Sequence, residues 1–136
     1  MEIVRVLLDT SAYSAFMRGR QEIKEALQLA DSIAVNPIVL GELQAGFRYG
    51  RHSEKNRTTL RQFLSSPRVH VVAVDEETAE RYAVILNGLW TIGRPIPTND
   101  LWIAASAMQY GLTILTTDAH FTHIAQVLVH HIDLTL

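Results

Sequence analysis

Short apolar runs recur along this chain, and each is followed at once by residues that start a helix. No other feature constrains the fold as much. IVRVLL (3–8) ends at Asp9, where Asp9, Thr10 and Ser11 are all good N-caps for a helix over AYSAFM. QEIKEALQLA then carries apolar residues at 23, 26, 27 and 30, the helical spacing. SIAVN (32–36) leads into Pro37, which suits a first helical turn, with Val39, Leu40, Leu43 and Phe47 on one face. A further helix over 52–65 has Leu60, Phe63 and Leu64 apolar and is closed by Pro67. VHVVAV (69–74) leads to Asp75, which caps a helix running to Leu89 or Ile92. The last unit is PTNDLWIAASAMQYGLTILTTDAHF (97–121): a helix starting at Asp100, a stop at Gly111, the strand TIL, and Asp118 ahead of a short helix at 119–124. VLVHHIDL (127–134) reads as a final edge strand. Strand–helix alternation of this kind predicts an α/β domain, with a central, mainly parallel twisted sheet of four to five strands and helices on both faces.

Composition agrees and narrows the functions available. A chain of 136 residues, 48% hydrophobic and 19% charged, is the size of one domain with a real core. It has no cysteine, so any metal must be held by oxygen or imidazole. No apolar run approaches the roughly 20 residues of a membrane helix. MEIVRVLLDTS lacks a signal peptide's basic start and long apolar stretch, which makes the cytoplasm the default location. The net charge of −2 conceals a basic segment: Arg48, Arg51, Lys55, Arg57, Arg61 and Arg68 stand against a single Glu54.

Sites in open α/β sheets lie beyond the carboxyl ends of the strands. Asp9, Asp75 and Asp118 occupy such positions. Glu42 and Asp100 are acids in apolar surroundings, within NPIVLGELQAG and PTNDLWIAA, and Gly41 and Gly46 beside Glu42 leave room for close backbone approach. Each acid also has a structural explanation. Asp9 and Asp118 can cap the helices they precede, and Asp100 can be a first-turn acid behind a Thr98 or Asn99 cap. Asp75, beside Glu76 and Glu77, reads as structural. Were Asp9, Glu42, Asp100 and Asp118 to converge, each pair at about 5 Å would repel by roughly 3 kcal/mol at an effective dielectric near 20. A hard divalent cation removes that cost, and would activate water and stabilise the departing oxygen of a phosphodiester.

LLDTSAY, IVLGEL and TNDLWIAASAMQYGLTILTTDAHF, in that order and spacing, resemble the PIN-domain ribonucleases, specifically the VapC-type toxins of type II toxin–antitoxin pairs. The resemblance covers essentially the whole chain and implies one PIN domain over residues 1–136. It implies that Asp9, Glu42, Asp100 and Asp118 are catalytic, with Asp9, Asp100 and Asp118 holding Mg²⁺ or Mn²⁺ and Glu42 orienting water or completing the shell. Ser11, Asn99 and Thr116 are the supporting residues. Further implications are an RNA substrate cut to a 5′-phosphate and a 3′-hydroxyl, a homodimer, a larger assembly with a cognate VapB-type antitoxin, and no membrane association. Many relatives have a basic residue just before the last acid, where this chain has Thr117. Arg48, Arg51, Lys55, Arg57 and Arg61 are the natural substitutes for binding RNA phosphates.

Competing readings fit less well. A catalytically inactive PIN-fold RNA- or protein-binding domain would be expected to have lost one of the four acids. A phosphotransfer receiver needs paired acids after the first strand and a lysine late in the chain, yet no lysine follows Lys55. A haloacid-type phosphatase needs a second acid where Ser11 stands. Asp118-x-His120-x-x-His123 could hold a transition metal. With no third strong ligand nearby in sequence, those histidines read as part of an exposed short helix. His130 and His131 point to opposite faces of an edge strand. Trp102 reads as core, and Trp90 as a weaker core residue that could serve a surface.

Overall fold

The computed structural model describes residues 3–135; Met1, Glu2 and Leu136 of the expected 1–136 domain lie outside the described residues. Five strands form one wholly parallel sheet: β1 (Arg5–Leu8), β2 (Ser32–Val35), β3 (Val69–Val71), β4 (Thr113–Thr116) and β5 (Val129–His131), in the order β3-β2-β1-β4-β5. Six α-helices connect them: α1 (Thr10–Met17), α2 (Gln21–Leu29), α3 (Pro37–Tyr49), α4 (Ser53–Leu64), α5 (Glu76–Ile92) and α6 (Thr98–Tyr110). A short 3-10 turn, Ala119–His123, joins β4 to β5. The chain moves outward from β1 through β2 to β3, then crosses back to β4 on the other side of β1. Reversing direction at β1 in this way puts helices on both faces of a parallel sheet.

The inner strands are apolar without alternation because both of their faces are covered. Val6, Leu7 and Leu8, Ile33, Ala34 and Val35, and Ile114 and Leu115 are all buried. The helices add Tyr13, Ile23, Val39, Leu60, Ile85 and Ile103 to the same core. Trp102 is half-buried and packs on Tyr82, with ring centroids 4.4 Å apart, whereas Trp90 is 65% exposed and belongs to the surface.

The edges depart from the sequence reading. β3 stops at Val71 rather than Val74, although Val72 N–H still donates to Val35. Beyond it the Ala73 carbonyl accepts from the Tyr110 hydroxyl instead of a strand. β5 is three residues long, and His130 is exposed while His131 is half-buried, on opposite faces as expected. α6 begins two residues before Asp100. Its cap position is Pro97, which offers no side-chain bond, so neither Thr98 nor Asn99 caps it. Gly41 and Gly46 face open space, and a Cβ at either would meet nothing within 4 Å, so no close backbone approach occurs there. Among the described residues no helix is long and apolar enough to cross a membrane.

Candidate active site

Strand order reverses at β1, and the crevice beyond the carboxyl ends of β1 and β4 is where such a sheet forms a site. Asp9 stands at that point. Its backbone is extended and its Oδ1 accepts from Ala12 N–H at 2.8 Å, capping α1. The same carboxylate accepts from the Ser11 hydroxyl, at 2.8 and 2.9 Å to its two oxygens, and from the Thr116 hydroxyl at 2.6 Å. Ser11 and Thr116 in turn accept from the Thr117 and Asp118 backbone N–H groups. The end of β4 is thereby fixed to the end of β1 through two hydroxyls. Asp9 is 3% exposed, and burial is the main cause of a pKa raised to about 6. Its three hydrogen-bond donors lower the value only partly, and the charge of Asp100 pushes it further up.

Glu42 reaches the same crevice from α3, which starts where β2 ends. Buried Asn36 caps α3 by accepting from Val39 N–H at 3.0 Å, and donates to the Ser106 hydroxyl of α6 at 2.9 Å. Those bonds tie the start of α3 to the middle of α6. Glu42 then accepts from the Thr10 hydroxyl at 2.6 Å and from the Asn99 amide at 3.2 Å, so the first turns of α1 and α6 both hold it.

Asp100 and Asp118 meet across one imidazole. His120 Nε2 lies 2.6 Å from Asp100 Oδ2, and His120 Nδ1 lies 2.7 Å from Asp118 Oδ1. Asp118 also accepts from His120 N–H at 3.3 Å, capping the 3-10 turn, so its capping and site positions coincide. Burial raises the Asp100 pKa; His120 opposes the shift, while the Glu42 and Asp118 charges add to it. One donor atom from each of Asp100, Asp118 and His120 lies within 4.8 Å of the other two. His120 is the residue that sequence reading misplaced. Its partner Asp100 is twenty residues away on α6, so no local spacing could disclose this third donor group. His123 is exposed and belongs to the turn surface.

All four acids line one cavity of about 600 Å³, together with Thr10, Ser11, Ser14, Pro97, Thr98, Asn99 and His120. Asp75 is elsewhere: it forms a capping box with Thr78 and accepts from Gln109, which lowers its pKa. Arg48 sits near the end of α3, Arg51 just after it, and Lys55, Arg57 and Arg61 along α4. None of the five lines the cavity, and among the described residues none is ion-paired.

A model of the PIN domain family matches residues 6–127. The chain belongs to the PIN domain family. Among PIN proteins it resembles Ribonuclease VapC5 of Mycobacterium tuberculosis, with 33% identity over 115 residues, covering 85% of this chain and 84% of the relative. Ribonuclease VapC4 of the same organism is 28% identical over 93% of this chain and 96% of its own length. Among solved structures, VapBC2 from Rickettsia felis bound to a DNA fragment from its promoter superposes with a TM-score of 0.82. The identity there is 27%, over 93% of this chain and 97% of that one. The expected PIN fold and VapC membership are thus borne out.

Proposed function

We propose that this PIN domain is the toxin of a type II toxin–antitoxin pair and acts as a metal-dependent endoribonuclease. The observation that carries the reading is the convergence of Asp9, Glu42, Asp100 and Asp118 on one cavity, where among the described residues no lysine or arginine pairs with them. The nuclease names of the VapC relatives and the antitoxin-bound form of the solved neighbours support it.

The residues fit a divalent cation. Asp9 is a buried carboxylate that, among the described residues, has no cationic partner; its pKa is raised, and Asp100 and Asp118 offer hard oxygens in the same cavity. Asp9, Asp100 and Asp118 would hold Mg²⁺ or Mn²⁺, which would offset the acids' charge, make water more acidic and stabilise developing charge on phosphate oxygens. The protein supplies position. Ser11, Thr116 and Ala12 N–H fix the Asp9 oxygens, and Thr10 and Asn99 aim Glu42 at the cavity, where it orients and accepts a proton from the attacking water. The products are a 5′-phosphate and a 3′-hydroxyl. Arg48, Arg51, Lys55, Arg57 and Arg61 attract the RNA backbone outside the cavity, where Thr117 offers no charge. The toxin forms a homodimer and a larger assembly with a VapB-type antitoxin.

The test is cleavage of cellular RNA by the purified protein, with fragment ends sequenced in Mg²⁺ and in chelator. Cleavage is expected only with the ion, and Asp100→Asn should lower it at least about 100-fold while the protein stays folded. Equal cleavage in chelator, or a folded Asp100→Asn protein cutting at the wild-type rate, would overturn the reading.

A further inference from the structure

We infer that His120 is a direct nitrogen ligand in this metal centre, making it a mixed aspartate–imidazole site that takes a first-row transition ion in preference to Mg²⁺. The inference rests on the proposed metal site but not on the cleavage of RNA.

The placement of the ring is the first ground. Both nitrogens are directed at carboxylate oxygens of the site, Nε2 at Asp100 and Nδ1 at Asp118, so the ring stands between the two acids rather than beside them. It can hydrogen-bond to both oxygens at once only with a proton on each nitrogen or on one of the acids. A cation bound by those acids must therefore displace the ring or engage it, and the donors are close enough for engagement. Asp100, Asp118 and His120 each present one atom within 4.8 Å of the others, while transition-metal bonds to nitrogen and oxygen near 2.1 Å need donors roughly 3–4 Å apart.

The second ground is the surroundings. Asp9 lies in the same cavity, nine-tenths or more buried, and among the described residues no lysine or arginine pairs with it or with Asp100 or Asp118. Its charge calls for a cation beyond what a single imidazole supplies. The third ground is how the ring is held. His120 sits in a 3-10 turn that Asp118 caps, with its ring 5.0 Å from Phe121, which is wholly buried. A side chain held in that way loses little freedom on binding an ion. Magnesium favours oxygen and water, whereas an imidazole donor shifts preference toward the later divalent metals.

Pulsed electron paramagnetic resonance of the Mn²⁺-loaded protein, without RNA, tests this. The expected result is nitrogen modulation that changes on ¹⁵N-histidine labelling, is absent in His120→Ala, and persists in His123→Ala. Competition titrations should show His120→Ala losing about tenfold or more in affinity for Mn²⁺ and Co²⁺, with a change of less than about threefold for Mg²⁺. Circular dichroism confirms that each variant is folded. Bound Mn²⁺ without nitrogen modulation, or equal losses for all three ions, overturns the assignment. RNA cleavage in Mg²⁺ with no nitrogen signal would sink only this inference, whereas a nitrogen signal without cleavage would sink only the nuclease reading.

Discussion

Asp9 is where local structure and chemistry meet, since it caps a helix, closes a strand junction and is a buried charge. Its pKa near 6 against an ordinary value of 3.8 means that the folded state holds this proton more tightly than the unfolded one. The stability this contributes is complete below the unfolded value and is lost as pH rises through about 6. The difference is on the order of 3 kcal/mol. In chelator, Asp9→Asn should gain stability over the wild type by about that amount between pH 4 and pH 7.5, as read by urea unfolding at each pH. A difference that does not vary with pH would contradict it. Adding Mn²⁺ at pH 7.5 should stabilise the wild type and narrow the gap, because a ligand of the native state alone shifts the equilibrium. At this scale the four acids were legible in sequence, each standing at a junction or in an apolar stretch. His120 was not, because its significance depends on a turn and a helix whose packing no short window contains.

Elements were easier to read than their ends. Apolar runs and capping residues disclosed every strand and helix, since the inner strands are buried on both faces and have no alternation to confuse. The errors fell where tertiary packing decides. β3 and β5 are shorter than their apolar runs because edge residues lose partners before the pattern stops, and α6 starts ahead of Asp100 because its first turn has no side-chain cap to mark it. The most consequential link between elements is Asn36, fully buried, which caps α3 and donates to Ser106 of α6. Asn36→Ala should cost about 2–3 kcal/mol, combining a lost cap with an unpaired buried hydroxyl. It should also slow cleavage, because Glu42 and Asp100 are carried by the two helices it joins. Denaturant midpoints and single-turnover rates check the two effects; an unchanged midpoint would show that the link is dispensable.

For the whole molecule, the question is how an acidic cavity on a chain of net charge −2 draws in a polyanion. The basic segment answers it only if its charges act together. Replacing Arg51, Lys55 and Arg61 by glutamine should weaken RNA binding at all sequences alike and reduce the slope of log affinity against log salt by about 2. An unchanged slope would assign that basic segment to another role. β1 lies at the centre, yet its partner on one side is β4, and Thr116 meets Asp9 across 107 residues of sequence. While the chain is being synthesised, β1 waits for a neighbour that does not yet exist, and pairing this distant is among the slower steps of folding. A fragment ending before β4 has no Thr116 against Asp9, no Asp118 and no His120. Interrupted synthesis therefore releases pieces without a cutting centre, and the proposed toxin stays harmless until most of it has been made.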